Sequence, residues 1–223
     1  MGERVISRGT CVFCKNSYAK SGMSRHLKAC KARQEAIDAQ KSGKARQTKL
    51  FHLQIQGTYN PWYWLHLEIP TSATLRDLDQ FLRDIWLECC GHLSMFRIGE
   101  QNYIVETSDD WWNDEDKDMS VELAQVLTPG LKFAHEYDFG STTYLTLQVV
   151  AEREGVADKR KPIQVLARND PPDYRCEICN EPATWINVFE DYALLCDAHA
   201  EEYDEGLLPV VNSPRTGVCG YTG

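Results

Sequence analysis

The feature that most constrains this chain is a grouping of cysteine and histidine that occurs once near each end. The first group has the spacing Cys-x2-Cys-x11-His-x3-Cys, and the second has Cys-x2-Cys-x16-Cys-x2-His. The residues are Cys11, Cys14, His26 and Cys30 in the first group, and Cys176, Cys179, Cys196 and His199 in the second. Three thiolates and one imidazole complete a tetrahedral zinc site and leave no position open for a substrate. The sequence therefore predicts two structural Zn²⁺ ions, each stabilising a small module.

The remaining cysteines show no disulfide framework. Six of the nine cysteines belong to the two groups, which leaves Cys89, Cys90 and Cys219. His92 beside the Cys89–Cys90 pair suggests a third metal site, while the alternative is that both cysteines are small buried apolar residues. Cys219, in a glycine-rich stretch, is expected to be exposed and reactive.

The use of cysteine also indicates the cellular compartment in which the protein is expected. Residues 1–4 lead straight into polar residues, so we expect no secretory signal, and no apolar run approaches the length of a membrane span. Paired disulfides in a secreted protein are the alternative interpretation of the nine cysteines. A reducing cytoplasm, without membrane contact, is the predicted location.

Charge is distributed unevenly along the chain. Residues 1–49 contain twelve Lys and Arg against three Asp and Glu, a balance of +9, whereas residues 50–223 contain the other twelve against thirty, a balance of −18. A basic segment of this kind favours a polyanionic partner, and the acidic remainder favours a solvated surface.

The first module, residues 1–34, is predicted to be a basic zinc finger, followed by a basic linker over residues 35–48. A short helix would place His26 and Cys30 one turn apart, facing the Cys11–Cys14 turn. Four cations follow on or just after this helix, and they are the predicted nucleic-acid contacts: Arg25, Lys28, Lys31 and Arg33. Residues 1–49 would then bind DNA or RNA. The alternative is a finger that docks on protein and whose charge only keeps it soluble.

The middle unit, residues 49–154, carries both strand and helix patterns. Apolar residues alternate with polar ones over Phe51–Gln56, and a further strand follows the turn near Pro61. Thr74 and Asp77 form a capping pattern ahead of an amphipathic helix. Strands and helices without regular alternation predict an α+β fold.

Residues 155–175 are predicted to be a connector, and residues 176–205 a ribbon-like or treble-clef-like module with a hairpin between its two ligand pairs. Acidic residues surround this second module, so a structural role or a protein contact is expected there. Residues 206–223 are predicted to be an extended tail, and the body and tail are candidate surfaces for a protein partner.

The middle unit resembles the plasmid pRiA4b ORF-3-like family over about residues 49–150. The matching segments are Asn60–Trp64, Ile69–Pro70, Thr74–Leu78, His92–Gly99 and Phe133–Ser141, and the Tyr-Asp-Phe-Gly sequence at 137–140 is the most specific. The resemblance implies a compact α+β domain and a setting in plasmids or near insertion-sequence elements. It implies no particular activity.

The chain departs from the family pattern at two places. Tyr63 and Leu65 flank Trp64 where the family often has an Arg-Arg pair, and Ser141 stands where it often has Asp. If those charged positions bind a ligand in relatives, this chain lacks the same groups.

No catalytic motif is evident. The sequence has no zinc-deaminase, HExxH, Walker or nucleophile-elbow pattern. His135, Glu136 and Asp138 could form an acid–base cluster, but strand alternation separates His135 from the other two. We expect Asp138 to accept backbone N–H groups in the turn before Gly140 instead.

These observations predict a non-enzymatic, zinc-binding adaptor of bacterial type, in plasmid, mobile-element or defence biology, which touches nucleic acid through its first finger. A pure protein-interaction module is the first alternative. A nucleic-acid-processing enzyme that uses carboxylates of the middle unit is the second.

Overall fold

Two long strands with alternating apolar and polar residues, Thr48–Gly57 and Thr143–Gly155, pair at the centre of the fold. The computed structural model describes residues 6–41, 47–105, 115–158 and 160–223. The strands are β1 Arg8–Cys11, β2 Ser17–Ala19, β3 Thr48–Gly57, β4 Trp64–Pro70, β5 Ser94–Ile98, β6 Gln101–Ile104, β7 Lys117–Asp118, β8 Lys132–Tyr137, β9 Thr143–Gly155, β10 Gln164–Asn169, β11 Trp185–Asn187, β12 Ala193–Leu195 and β13 Leu207–Pro209. The helices are α1 Lys20–Ala29, α2 Lys31–Lys41, α3 Leu75–Leu82 with a π-helical turn at Arg83–Leu87, α4 Leu123–Val126 and α5 Asp197–Ala200. The α+β fold class is as predicted.

Most strands of the described chain join one mixed sheet. Its order is β2-β1-β10-β4-β3-β9-β8-β5-β6-β7, and all neighbours except β6 and β7 are antiparallel. The strands β11, β12 and β13 form a separate small sheet. The first finger and the middle unit therefore share one sheet, whereas the C-terminal module has its own.

One face of the large sheet carries the main apolar core. Leu53 lies opposite Leu67, and Ile55 lies opposite Leu65, all fully buried. Helix α3 packs on this face, and it begins with the predicted capping box: Thr74 Oγ1 accepts the Asp77 N–H, while the Asp77 carboxylate accepts the Thr74 N–H. The local capping chemistry fixes where the helix starts, and its apolar stripe fixes which face it covers.

The first finger covers the opposite face. Trp64, the first residue of β4, is fully buried and packs with Met23 and Leu27 of α1. A Cβ atom on Gly9 would lie 2.6 Å from the Trp64 ring, so β1 can approach only with glycine at this position. Every residue of β4 is buried, because the core covers one face and the finger covers the other.

A buried carboxylate connects the finger to the body. Glu68 of β4 accepts hydrogen bonds from Arg33 Nη2 at 2.6 Å and from Arg153 Nε at 2.6 Å. Arg33 also donates to the Leu27 carbonyl at 2.8 Å. One side chain thus bridges α2, β4 and β9.

Two predicted linkers contain regular structure. Within residues 155–175, Gln164–Asn169 forms β10 and lies between β1 and β4 in the sheet. Its apolar residues Leu166 and Ala167 are fully buried, which explains why this short segment is a strand. Within residues 35–48, α2 continues to Lys41. Two sequence features lie mainly or wholly outside the described residues. Most of the acidic segment at 108–116 does, and so do the cations Lys44 and Arg46 of the predicted basic linker.

The tail, residues 206–223, begins as strand β13 and then folds back on the body. Ser213 donates from Oγ to the Trp86 carbonyl at 2.6 Å, and Arg215 is fully buried. Helices of membrane-spanning length and composition are missing from the part of the chain that the structure describes.

We expect Glu68→Gln to destabilise the protein by about 3–5 kcal/mol, because it leaves two buried or half-buried arginines without their carboxylate. Urea unfolding followed by circular dichroism measures this change. The matched control is Glu152→Gln, which removes only a surface ion pair with Lys49, 2.9 Å apart, and should change stability little. Equal effects of the two variants would contradict the proposed bridge.

A pair of buried histidines, His52 on β3 and His66 on β4, makes the stability of the folded protein depend on pH. His52 Nε2 and His66 Nδ1 are 2.9 Å apart. Burial, reinforced by the positive charge of Arg33, lowers the pKa of each imidazole to about 3. Arg153 acts on His52 in the same direction, and the neighbouring His52 and Lys20 act on His66.

Both histidines are therefore neutral when folded and take up protons on unfolding between pH 6.5 and about 3. Their contribution to stability is fully present above pH 6.5 and is lost as the pH falls through this window. We expect the unfolding free energy to fall less steeply from pH 7.5 to 5.5 in His52→Gln/His66→Gln than in the wild type. Cysteine and metal contributions are common to both proteins, so identical slopes would exclude the histidine pair as the cause.

Candidate metal centres and basic surface

The first predicted ligand group converges in the finger. The ligand atoms of Cys11, Cys14, His26 and Cys30 all lie within 4.8 Å of one another. Cys11 ends β1 and Cys14 lies in the turn that follows, while His26 lies on α1 and Cys30 caps the end of that helix. Tyr18 stacks on the His26 ring with centroids 3.7 Å apart, which fixes the orientation of the imidazole.

The second group converges in the C-terminal module. Its ligand atoms also lie within 4.8 Å of one another. Cys176 and Cys179 occupy a turn closed by Asn180, whose N–H donates to the Cys176 carbonyl at 2.9 Å. The predicted hairpin is present as β11 and β12, and Cys196 and His199 lie at and just after the start of α5.

The separations between ligand atoms fit a tetrahedral ion. Bonds of about 2.3 Å to sulfur and about 2.0 Å to nitrogen place two sulfurs about 3.8 Å apart and a sulfur and a nitrogen about 3.5 Å apart. Cys179 and Cys196 Sγ are 3.7 Å apart, Cys196 Sγ and His199 Nδ1 are 3.3 Å apart, and Cys14 Sγ and His26 Nε2 are 3.4 Å apart. A disulfide would need sulfurs about 2.05 Å apart, so these sulfurs are not joined by disulfides, and their spacing is compatible with a bound metal ion.

Local backbone groups favour the thiolate form at both sites. The N–H of Asn16 lowers the pKa of the Cys14 thiol. Burial raises the pKa of Cys176, but backbone N–H groups of Cys196, Cys179 and Ile178 outweigh it and lower the value to about 6. Burial raises the pKa of Cys11, and at Cys179 the Glu181 backbone lowers the pKa, but burial and the neighbouring cysteines outweigh it and raise the pKa. The thiolate, which is the form that binds metal, is therefore favoured at Cys14 and Cys176 and not at every ligand.

The structure also assembles a third group that the sequence did not predict as a complete set. Cys89, Cys90 and His92 follow the π-helical turn, and Cys219 of the tail lies against them, with all four ligand atoms within 4.8 Å. Proximity in sequence signals the first three, but Cys219 is 127 residues from His92. Only the folded tail brings it there.

Three of the four predicted nucleic-acid contacts lie on the surface. Arg25, Lys28 and Lys31 are exposed, and none of them has an ion-pair partner among the residues that the structure describes. Arg25 and Lys28 are three residues apart on α1 and therefore project from one side of the helix. Arg33 is different: it is 8% exposed and bound to Glu68, so it belongs to the interior contact between finger and body.

The three residues of the possible acid–base cluster, His135, Glu136 and Asp138, do not form a shared site. His135 is fully buried, with Nε2 2.7 Å from Asp79 Oδ1. Glu136 lies 3.3 Å from Arg97 on the other side of the strand.

Asp138 has φ 66° and accepts the N–H groups of Gly140 and Ser141, as its turn position predicts. Burial raises its pKa, but the hydrogen bond from Arg215 and those two N–H groups outweigh burial and lower it. Asp138 thus remains a carboxylate with a structural role.

The two departures from the family pattern are structural as well. Tyr63 is fully buried, with its hydroxyl 3.0 Å from that of Tyr174, and Leu65 is part of the core. Ser141 contributes its backbone, accepting from Arg215 Nη1 at 3.1 Å. Apolar and backbone contacts therefore occupy the places where relatives often carry charge.

Fold and site define an α+β protein with Cys/His clusters that could hold metal ions. A family model described as plasmid pRiA4b ORF-3-like protein matches residues 48–207, which is more than half of the chain. The chain therefore belongs to this family. The match includes the middle unit, β10 and the second Cys/His cluster, and it begins after the first finger.

Among solved structures, a protein of unknown function from Methanosarcina mazei is similar at 17% sequence identity with a TM-score of 0.41. The alignment covers 50% of this chain and 63% of that chain, so this chain spans less than two thirds of that protein's length. No match was found among curated proteins.

We expect Cys14→Ser and Cys179→Ser each to lower the metal content by about one ion per chain, because a site with three ligands loses most of its affinity. Elemental analysis by mass spectrometry on dialysed protein measures this. Cys14→Ser should also lower the temperature of unfolding of the body, because Cys11 and Cys30 pack with Trp64.

The matched controls are serine substitutions inside the same two turns, at the partly exposed apolar residues Val12 and Ile178. Val12→Ser and Ile178→Ser should keep the full metal content. Equal metal content in all four variants would contradict the assignment of ligands.

Proposed function

We propose that this protein is a non-enzymatic zinc-binding adaptor that contacts nucleic acid through its N-terminal finger. The observation that carries the proposal is the set of exposed, unpaired cations Arg25, Lys28 and Lys31, on a finger held against the body by Trp64 and Glu68. A cation on a fixed scaffold loses less freedom on binding phosphate than one on a mobile chain.

Zinc is the metal that the donor sets favour. The first finger and the C-terminal module each offer three thiolates and one imidazole at tetrahedral spacing. This donor set suits Zn²⁺ and does not suit Mg²⁺ or Ca²⁺. Four protein ligands close each site, so these ions would stabilise the modules and would not activate water. This supports an adaptor over an enzyme.

The arrangement of charge favours contact with phosphate. Net charge is +9 over residues 1–49 and −18 over the rest, so a polyanion would approach from the finger side. Arg33 lies in the finger–body contact and is left out of the proposed interface. The remaining three cations would neutralise phosphates without reading base sequence, so binding would tolerate different sequences.

The family name supports the setting. Its description refers to a plasmid, which favours a role in the biology of mobile elements or in defence against them. Nine free cysteines fit a reducing cytoplasm, which is the location that we propose.

We expect Arg25→Gln/Lys28→Gln/Lys31→Gln to weaken binding of labelled double-stranded DNA and RNA, and to reduce the slope of log affinity against log salt by about 2 to 3. Fluorescence anisotropy at several salt concentrations measures both quantities. Single strands serve as a second set of probes, with a slightly smaller slope per phosphate.

A variant with the same change in charge elsewhere is the control. Lys132→Gln/Arg160→Gln/Lys161→Gln also removes one arginine and two lysines, all exposed and outside the finger. It should bind nearly as well as the wild type. An equal loss in both variants would reduce the effect to net charge, and unchanged binding in the finger variant would refute the proposed contact.

A protein partner is the second candidate, and one observation favours it. The C-terminal module exposes three large apolar side chains, Ile178, Phe189 and Tyr192, which are 56%, 71% and 56% exposed. Exposed apolar side chains of this size are typical of contact surfaces. Partner binding that does not change in the finger variant but is lost in Phe189→Ser/Tyr192→Ser would favour this candidate.

A further inference from the structure

The third Cys/His group lies where the tail meets the body. Cys90 Sγ is 3.1 Å from His92 Nε2 and 3.7 Å from Cys219 Sγ, and His92 Nε2 is 3.3 Å from Cys219 Sγ. Cys89 Sγ is 3.5 Å from Cys90 Sγ. These four separations lie within about 0.4 Å of the edges of a tetrahedral zinc site.

The distribution of all the cysteines also supports a metal site in the third group. The chain has nine cysteines, all within the described residues and all free. They divide into three groups of three, and each group has one histidine in ligand distance. The third group therefore repeats the donor set of the two fingers and leaves no cysteine outside a group.

The surroundings of the third group resemble those of a metal site. His92 directs Nε2 at the sulfurs, while its Nδ1 faces Asp138 Oδ1 at 3.6 Å. A carboxylate beside the second nitrogen is the arrangement that orients metal-binding histidines. Asp138 is itself held by Arg215 Nη2 at 2.6 Å.

The negative charge of a zinc-loaded third group would also be balanced by a neighbouring cation. Three thiolates and one imidazole around Zn²⁺ carry a net charge of about −1. Arg215 Nη2 lies 3.3 Å from Cys89 Sγ, and the guanidinium is fully buried. Arg215 can therefore offset the negative charge of the thiolates and of Asp138 together.

The backbone of the tail is adapted to this contact. Cys219 has φ 52°, a left-handed conformation that non-glycine residues rarely adopt, and Gly217 and Gly220 beside it have φ 74° and 65°. A ligand held in such a conformation needs surrounding contacts to maintain it.

We propose that Cys89, Cys90, His92 and Cys219 bind a third zinc ion, which fastens the tail onto the body. The ion would close a loop of 127 residues between His92 and Cys219. It would also cover Arg215, which joins the tail to the Tyr-Asp-Phe-Gly turn at 137–140. This site is independent of the nucleic-acid contact, so the binding experiments above neither support nor weaken it.

The first test is zinc stoichiometry. We expect the wild type to hold about three Zn²⁺ ions per chain and Cys90→Ser/Cys219→Ser to hold about two, with the two finger ions retained as the sign of correct folding. After substitution with Co²⁺, the thiolate-to-cobalt absorption should fall by about one third in this variant, since three of nine thiolates leave the metal. Val218→Ser, next to Cys219, is the matched control and should keep all three ions.

The second test reports on the tail. Trypsin cleaves after arginine, and buried Arg215 is accessible only when the tail detaches. We expect the zinc-loaded wild type and Val218→Ser to resist release of residues 216–223, and Cys90→Ser/Cys219→Ser to release them faster. Mass spectrometry of the fragments measures the rate.

Two results would overturn the proposal. One is a wild-type zinc content equal to that of the double variant. The other is a Cys90–Cys219 disulfide in the wild type purified with zinc and thiol reductant, detected by intact mass. Should the double variant lose all its zinc and so fail to fold, His92→Gln provides the same comparison with every cysteine retained.

Discussion

The structure depends on a strand that is buried on both faces. Residues of β4 alternate between the main core, through Leu65 and Leu67, and the finger, through Trp64 and Glu68. A strand in this position must satisfy a carboxylate without water, and Glu68 does so with two arginines from different elements. The finger is thus a layer of the protein, and its Cys/His group lies close to the packing of the body.

This arrangement separates the roles of the three Cys/His groups. The first lies behind the finger–body contact, where Cys11 and Cys30 are buried. The second lies in a module whose sheet is separate from the large one. The third lies where the tail folds back, beside Arg215 and Asp138. Metal at each place would secure a different junction of the chain, which is a reason for a protein of this size to use several small sites.

Local patterns in the sequence predicted the local structure. Two ligand groups were recognisable because their members are close in sequence, and the α3 cap was recognisable from Thr74 and Asp77. Strand alternation and turn chemistry also placed Asp138 in a structural role. The failures concern contacts between distant segments. The sequence predicts a surface position for Arg33, because nothing local indicates that Glu68 covers it. It gives no local signal for β10, whose partners are distant along the chain, or for the contact between Cys219 and His92.

The order of strands has a consequence for synthesis. β1 is synthesised well before β10, yet it reaches the large sheet only through β10, to which it pairs from Gly9 with Asn169. The finger and Trp64 are made before β10, so the apolar groups that Leu166 and Ala167 cover stay exposed until residue 169 has been made. During this interval the nascent chain exposes an apolar surface that the complete chain buries.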